Sequence, residues 1–241
     1  MMKKIAFAVL ALIAGVTNAA ELYNNGPVAD GAGKSVLATG LGATTLGFGN
    51  QAALGNYVAD DFSIGAGASW NVSSLSFYGY QTGAGGFSFT SATWGIFSGA
   101  DINSATLVAS GATAVTNGGL AGYRVTPTTL TNTQRGIYKV NADITDVTLG
   151  AGHYWLAWGL EGSGVSGPWQ PPTSDAREGN ALQSIAGDDF QQLEDAGSGL
   201  SVELPFAVNG TIGAVPEPET YAMMLGGLGL IGLARRRARR G

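Results

Sequence analysis

The segment NYVADDFSIGAGASWNVSSLSFYGY, residues 56–80, decides the fold class. Tyr57-Val58 leads into Asp60-Asp61-Phe62-Ser63-Ile64, and Gly65-Ala66-Gly67 then supplies a turn. Beyond it, Trp70 and Val72, then Leu75 and Phe77, each alternate with small polar residues. The phase slips at Ser73-Ser74, and a slip of that kind marks a β-bulge or a bend. Aromatic and β-branched residues near a period of two, with no helical period, make this a β protein.

The same rhythm runs outward. Phe87 with Phe89, the run Trp94-Gly95-Ile96-Phe97, Leu107-Val108, and residues 121–125, 137–140 and 147–149 read as strands. Asn117-Gly118-Gly119, Thr126-Pro127 and Thr131-Asn132 read as turns between them. In GHYWLAWGL, residues 152–160, Tyr154, Leu156 and Trp158 share one face, and His153, Trp155 and Ala157 the other. Both faces are mainly apolar, which predicts a central strand covered on both sides. Residues 161–180, rich in Gly, Ser and Pro, read as a long loop that leaves Trp169 facing solvent. Residues 181–195 read as a brief helix or turn, and LSVELPFAV, residues 200–208, as a closing strand. Turn spacing predicts an all-β fold, a two-sheet antiparallel sandwich or jelly roll of roughly 8–12 short strands.

The two ends differ from the body. Lys3 and Lys4, an apolar run over residues 5–15 and small residues up to Ala19 and Ala20 have the form of a secretory signal peptide, residues 1–20. Signal peptidase is then the first partner, and cleavage follows Ala19 or Ala20. At the other end, Val215-Pro216-Glu217-Pro218 cannot extend a helix or a ladder, because its prolines lack N–H donors. An uncharged apolar span, residues 221–234, comes next, and Arg235, Arg236, Arg237, Arg239 and Arg240 stop it. As a helix that span is about 21 Å long, short against a hydrocarbon core of roughly 30 Å. It suits transient residence in an inner membrane, with the arginines cytoplasmic and the body outside. The expected domain, residues 21–214, is thus flanked by a signal helix and a transmembrane helix.

Between those ends stand fifteen acids and five bases, a formal charge of −10. So acidic a body repels phosphate backbones, and no nucleic-acid partner is expected. The absence of cysteine removes disulfides, thiolate metal sites and cysteine nucleophiles together. Five tryptophans, eight tyrosines and nine phenylalanines supply a core that thirty-nine glycines alone would not.

Chemical candidates are few. Ala32-Gly33-Lys34-Ser35 resembles the end of a phosphate loop, but Val28 stands where its first glycine must be. His153 is the only histidine, and no Gly-x-Ser-x-Gly elbow supplies a nucleophile for a triad. Asp60/Asp61 and Asp188/Asp189 are adjacent acids; neighbours on a strand point to opposite faces, so neither pair is a glycosidase dyad. Clustered acids in Gly-rich loops suit calcium better, although the full calcium-loop pattern is missing. Calcium held by Asp60, Asp61, Asp188 or Asp189 is therefore the one cofactor expectation. Trp169, between prolines, is the candidate for stacking on a sugar.

The C-terminal turn, apolar span and arginine stop, in that order, resemble the PEP-CTERM sorting signal of Gram-negative, biofilm-forming bacteria. The resemblance implies recognition by an exosortase, a membrane-embedded protease-transpeptidase. Processing near Pro216-Glu217-Pro218 and release to the cell surface or extracellular matrix would come after it. Through VADDFSI, WNVSSLSFYGYQTG and LPFAVNG the body is similar to the Gly-rich β domains of such proteins, which have no activity to transfer. The expectation is a non-catalytic surface or matrix protein associated with exopolysaccharide; the alternatives are a carbohydrate-binding module and a secreted hydrolase.

Overall fold

A computed structural model describes residues 19–213. The signal segment before Ala19 and the whole sorting segment, residues 215–241, lie outside the described residues, and so do the two flanking helices expected from the sequence. The first seven strands, in chain order, are β1 (Ala20–Asn24), β2 (Lys34–Val36), β3 (Phe48–Gly49), β4 (Tyr57–Ile64), β5 (Ser69–Gly79), β6 (Phe89–Ser98) and β7 (Thr106–Val125). Then come β8 (Gly136–Leu149), β9 (Gly152–Gly162), β10 (Trp169–Gln170), β11 (Leu182–Ser184), β12 (Gln191–Gln192) and β13 (Phe206–Gly213). Single 3-10 turns at Thr39–Leu41 and Ala52–Leu54 complete the regular structure among the described residues.

The residues that decide the fold class build an arch, not a hairpin. β4 and β5 are joined by a turn closed from Ala68 N to Gly65 O, yet they never pair. β4 pairs with β9 and β11, whereas β5 pairs with β13 and β8. The chain therefore steps from one layer to the other at Gly65, and Phe62 and Trp70 stack across the step with centroids 5.9 Å apart.

Turn spacing predicts two separate sheets; one large curled antiparallel sheet is found instead. Its strands run β1-β13-β5-β8-β7-β6-β9-β4-β11-β12, with β2 parallel to β7. A second, two-stranded sheet joins β10 to β3. The reason is the twenty-residue β7, whose first half pairs with β6 and whose second half pairs with β8. Asn117-Gly118-Gly119, a turn by its sequence, is an irregularity inside this strand, where Gly119 holds φ at +104°. The chain can leave the ladder there without reversing.

Between the facing halves of the curl lies the core. β4 and β9 contribute Phe62, Leu156 and Trp158, β5 contributes Leu75 and Phe77, and β13 contributes Phe206, all buried. Trp158 stacks on Phe77 at 5.3 Å and also meets Phe206. The other face of β9 packs Trp155 and Ala157 with Ala59 and Ile102, so β9 is covered on both sides. The slip at Ser73-Ser74 is a register shift of β5 against β8. β13 answers it at Asn209/Gly210, and a Cβ on Gly210 would collide with the Asn71 carbonyl oxygen. Glycine is required at that close approach.

Two further readings are corrected. Residues 181–195 contain the antiparallel pair β11–β12 rather than a helix. The closing strand begins only at Phe206, because Pro205 has no N–H to offer a ladder.

Candidate functional site

Along β4, the main-chain pairing to β11 stops at Ala59. At Asp60 the strand margin is open, and the segment Glu203-Leu204 closes over it. Leu204 N–H donates to Asp60 Oδ2 at 2.8 Å, and Asp61 N–H donates to Asp60 Oδ1 at 2.8 Å. Asn25 lies beneath both segments, its Nδ2 donating to Asp60 Oδ2 (3.0 Å), Glu203 Oε1 (2.9 Å) and the Leu204 carbonyl (3.0 Å). The Asn25 amide is held from its other end, since Tyr23 donates its hydroxyl to Asn25 Oδ1 at 2.8 Å. Arg177 Nη2 donates to the Asn25 carbonyl at 2.8 Å and stands 3.9 Å from Glu203.

Carboxylate oxygens of Asp60, Asp61 and Glu203 come within 4.8 Å of one another. Asp60 is fully enclosed. Burial pushes its carboxyl well above the ordinary 3.8, Glu203 adds to the rise, and the two backbone donors only partly oppose it. Tyr23 is pushed up to about 12, first by burial and then by Asp60, Asp61 and Glu203. On the outer side, Asp61 Oδ2 meets His153 Nε2 at 2.5 Å, while His153 Nδ1 meets the Gly99 carbonyl at 2.7 Å.

The predicted residues are thus only partly brought together. Asp60 and Asp61 join a cluster, but Asp188 and Asp189 do not. They sit exposed in the β11–β12 turn, beyond Ser184, which pairs with Tyr57 at the far end of β4. Of the two acid pairs expected to hold calcium, Asp60 and Asp61 therefore gain a third carboxylate, Glu203, while Asp188 and Asp189 stand apart from it. Trp169 is corrected as well: it is half-buried against the cluster of Tyr78, Tyr80 and Ile137, and its Nε1 donates to Ser166 Oγ at 3.2 Å. Ala19 and Ala20 are exposed, and Ala20 opens β1, paired with Gly210. Val215, Pro216, Glu217, Pro218 and the five arginines lie outside the described residues.

Sequence reasoning misses Asn25, Glu203, Tyr23 and Arg177. Asn25 and Glu203 meet across a separation of 178 residues, and no local pattern marks either one.

The described domain begins and ends at one place, since Ala20 pairs with Gly210 three residues before Gly213. The sorting segment therefore follows, in sequence, a strand that ends near the start of β1. Comparison with known families identifies that segment: the PEP-CTERM protein-sorting motif matches residues 214–240. The chain carries a PEP-CTERM sorting signal. The signal implies an exported protein, transiently anchored in a membrane and processed by an exosortase. No curated protein matches the chain. Among the described residues, no helix is long and apolar enough to cross a membrane.

Proposed function

We propose that the β body is a non-catalytic component of the cell surface or extracellular polymer matrix, delivered there once an exosortase removes residues after the Pro216-Glu217-Pro218 turn. The observation that carries this reading is the sorting motif at residues 214–240, directly after the last described strand. Signal peptidase acts at the other end, the inner membrane holds the precursor only transiently, and exopolysaccharide is the medium the mature protein enters. Two features of the site support a non-catalytic body. Asp60 is closed to any substrate, and both nitrogens of the sole histidine are engaged by Asp61 and Gly99. The test is expression beside an exosortase, with mass spectrometry of the exported product. Loss of the arginine-rich end, abolished by a Pro216→Ala, Pro218→Ala double variant, supports the reading. An intact C-terminus in the matrix fraction overturns it.

A second reading retains calcium and moves it to Asp60, Asp61 and Glu203, whose oxygens lie within 4.8 Å. Oxygen donors of this kind suit a hard divalent cation. The Asn25 amide stands against it, because its Nδ2 faces both Asp60 and Glu203, so a cation must turn that amide round. Thermal melts in calcium and in chelator decide the matter. A higher midpoint in calcium supports the ion, and equal midpoints sink it.

A further inference from the structure

Ala20 and Leu22 of β1, Trp70 of β5, and Thr211 and Ile212 of β13 line a surface groove of about 360 Å³, in which Glu21 is the one charged lining residue. Tyr23 packs toward the main core, so its neighbour Leu22 points the other way, into the groove. Ile212 pairs with Trp70 and is 72% exposed. Exposed apolar residues scattered singly are ordinary, whereas several sharing one groove have the form of an interaction site.

The groove stands where the last strand ends. Ile212 immediately precedes Gly213, and Ser69, which pairs with Gly213, follows the turn at Gly65–Ala68. Leu149, which pairs with Trp70, precedes the turn at Gly150-Ala151. Both turns are built of glycine and alanine. Neither offers a bulky or charged side chain to fend off a partner at this end of an acidic body.

Covalent reach selects the partner. Pro216 is three residues beyond Gly213, so its Cα stands within about 11 Å of the Gly213 Cα, however the residues between are arranged. Pro218 stands within about 18 Å by the same limit. A single helix with its side chains is already about 10–12 Å across. An enzyme that grips the chain at Pro216-Glu217-Pro218 must therefore lie against the body around Gly213. We infer that this groove is the docking surface for the exosortase, receiving an apolar projection of the enzyme beside Leu22, Trp70 and Ile212. Docking of this kind rests on the exosortase processing proposed above, and it makes the folded body, as well as the sorting segment, part of what the enzyme recognises.

Pulse-chase of the full chain co-expressed with an exosortase tests this, with processing read from the mass of the exported product. Ile212→Glu, at an exposed site, should slow processing about tenfold, because it sets a charge where docking buries an apolar side chain. Leu22→Ser should slow it too, and keeps the test open should Ile212→Glu be exported poorly. Leu120→Glu is the control. Leu120 is also exposed, but it pairs with Tyr138, whose partner Gly79 is at the opposite end of β5 from Ser69. That variant should be processed at the parental rate. A flexible linker of about twenty residues after Gly213, spanning about 25 Å, should narrow the gap between Ile212→Glu and the parent, since the body need no longer lie against the enzyme. A parent chain left intact overturns the processing itself. A processed parent, with Ile212→Glu and Leu22→Ser cut at the parental rate or with a gap that the linker leaves unchanged, overturns the docking alone. A deficit that disappears with purified enzyme in detergent gives the groove to the bilayer, and one that tracks loss of a dimer gives it to a second copy; either overturns the docking as well.

Discussion

Asp61 and His153 meet at 2.5 Å across the β4–β9 ladder, although Asp61 pairs in register with Trp155 and His153 with Ser63. The contact is a diagonal one, within reach of long side chains on one face of a sheet. Both His153 nitrogens face acceptors, the Asp61 carboxylate and the Gly99 carbonyl. A neutral imidazole has one N–H, so only the imidazolium serves both. Burial opposes that charge, but the Gly99 and Asp61 contacts outweigh it, and the pKa rises above 6.5.

A raised histidine pKa stabilises the fold below the unfolded value and loses that contribution as pH rises through the folded value. His153→Gln should therefore narrow the difference in melting midpoint between slightly acidic and alkaline pH. Direct NMR titration of the ring should give a value above 6.5. A value at or below it would remove the argument.

Asp195 makes the opposite case. It is buried, and although burial alone would raise its pKa, donors at Ser198, Thr45, Thr44 and Gly197 bring it down to about 2. Thr45 N–H is nearest at 2.8 Å, and Thr44 and Thr45 belong to a loop 150 residues away. With a depressed pKa, the stability is present above the ordinary 3.8 and is lost as pH falls through about 2. Asp195→Asn should cost on the order of 2 kcal/mol at neutral pH, with the deficit shrinking in acid. Urea melts at several pH values read both; an unchanged deficit at low pH contradicts the assignment.

Strand content is legible in the sequence because β propensity and period are local. The faces of β9 are readable for the same reason: Tyr154, Leu156 and Trp158 do lie in the main core, with Trp155 and Ala157 opposite. Connectivity is not legible. Gly65-Ala66-Gly67 could serve a hairpin or an arch, and only the distant partners β9 and β13 choose between them. The acidic cluster is half legible. Asp60-Asp61 announces itself as a pair, but Asn25 and Glu203 become neighbours only when the sheet curls, and Asp188-Asp189 announces itself equally while standing alone.

Trp158 is the largest of the fully buried side chains. It is fully buried, stacks on Phe77, and donates Nε1 to Gln170 Oε1 at 3.1 Å. Trp158→Ala should cost about 3–5 kcal/mol through the cavity left between layers. Trp158→Phe keeps most of the volume but orphans the buried Gln170 carbonyl, which should cost about 1–3 kcal/mol. Equal losses in the two variants would mean that packing is not what the indole contributes.

Asp60 provides the sharpest pH test, because its sign is unusual for an acid. Its folded pKa lies above the ordinary 3.8, so the native state holds a proton that the unfolded chain releases. The associated stability is full below the ordinary value and falls as pH rises through the folded value. Above that value Asp60 becomes an enclosed anion beside Glu203, with Arg177 3.9 Å from Glu203 as the nearest basic relief. Asp60→Asn stays neutral at every pH. It still offers one oxygen to Leu204 N–H, but its amide must replace the oxygen that accepts from Asp61 N–H. The variant should therefore be less stable than the parent in mild acid, and the gap should close as pH rises. A gap that widens with pH would show that Asp60 is ionised in the native state, held by Asn25, Leu204 and Asp61 despite its burial.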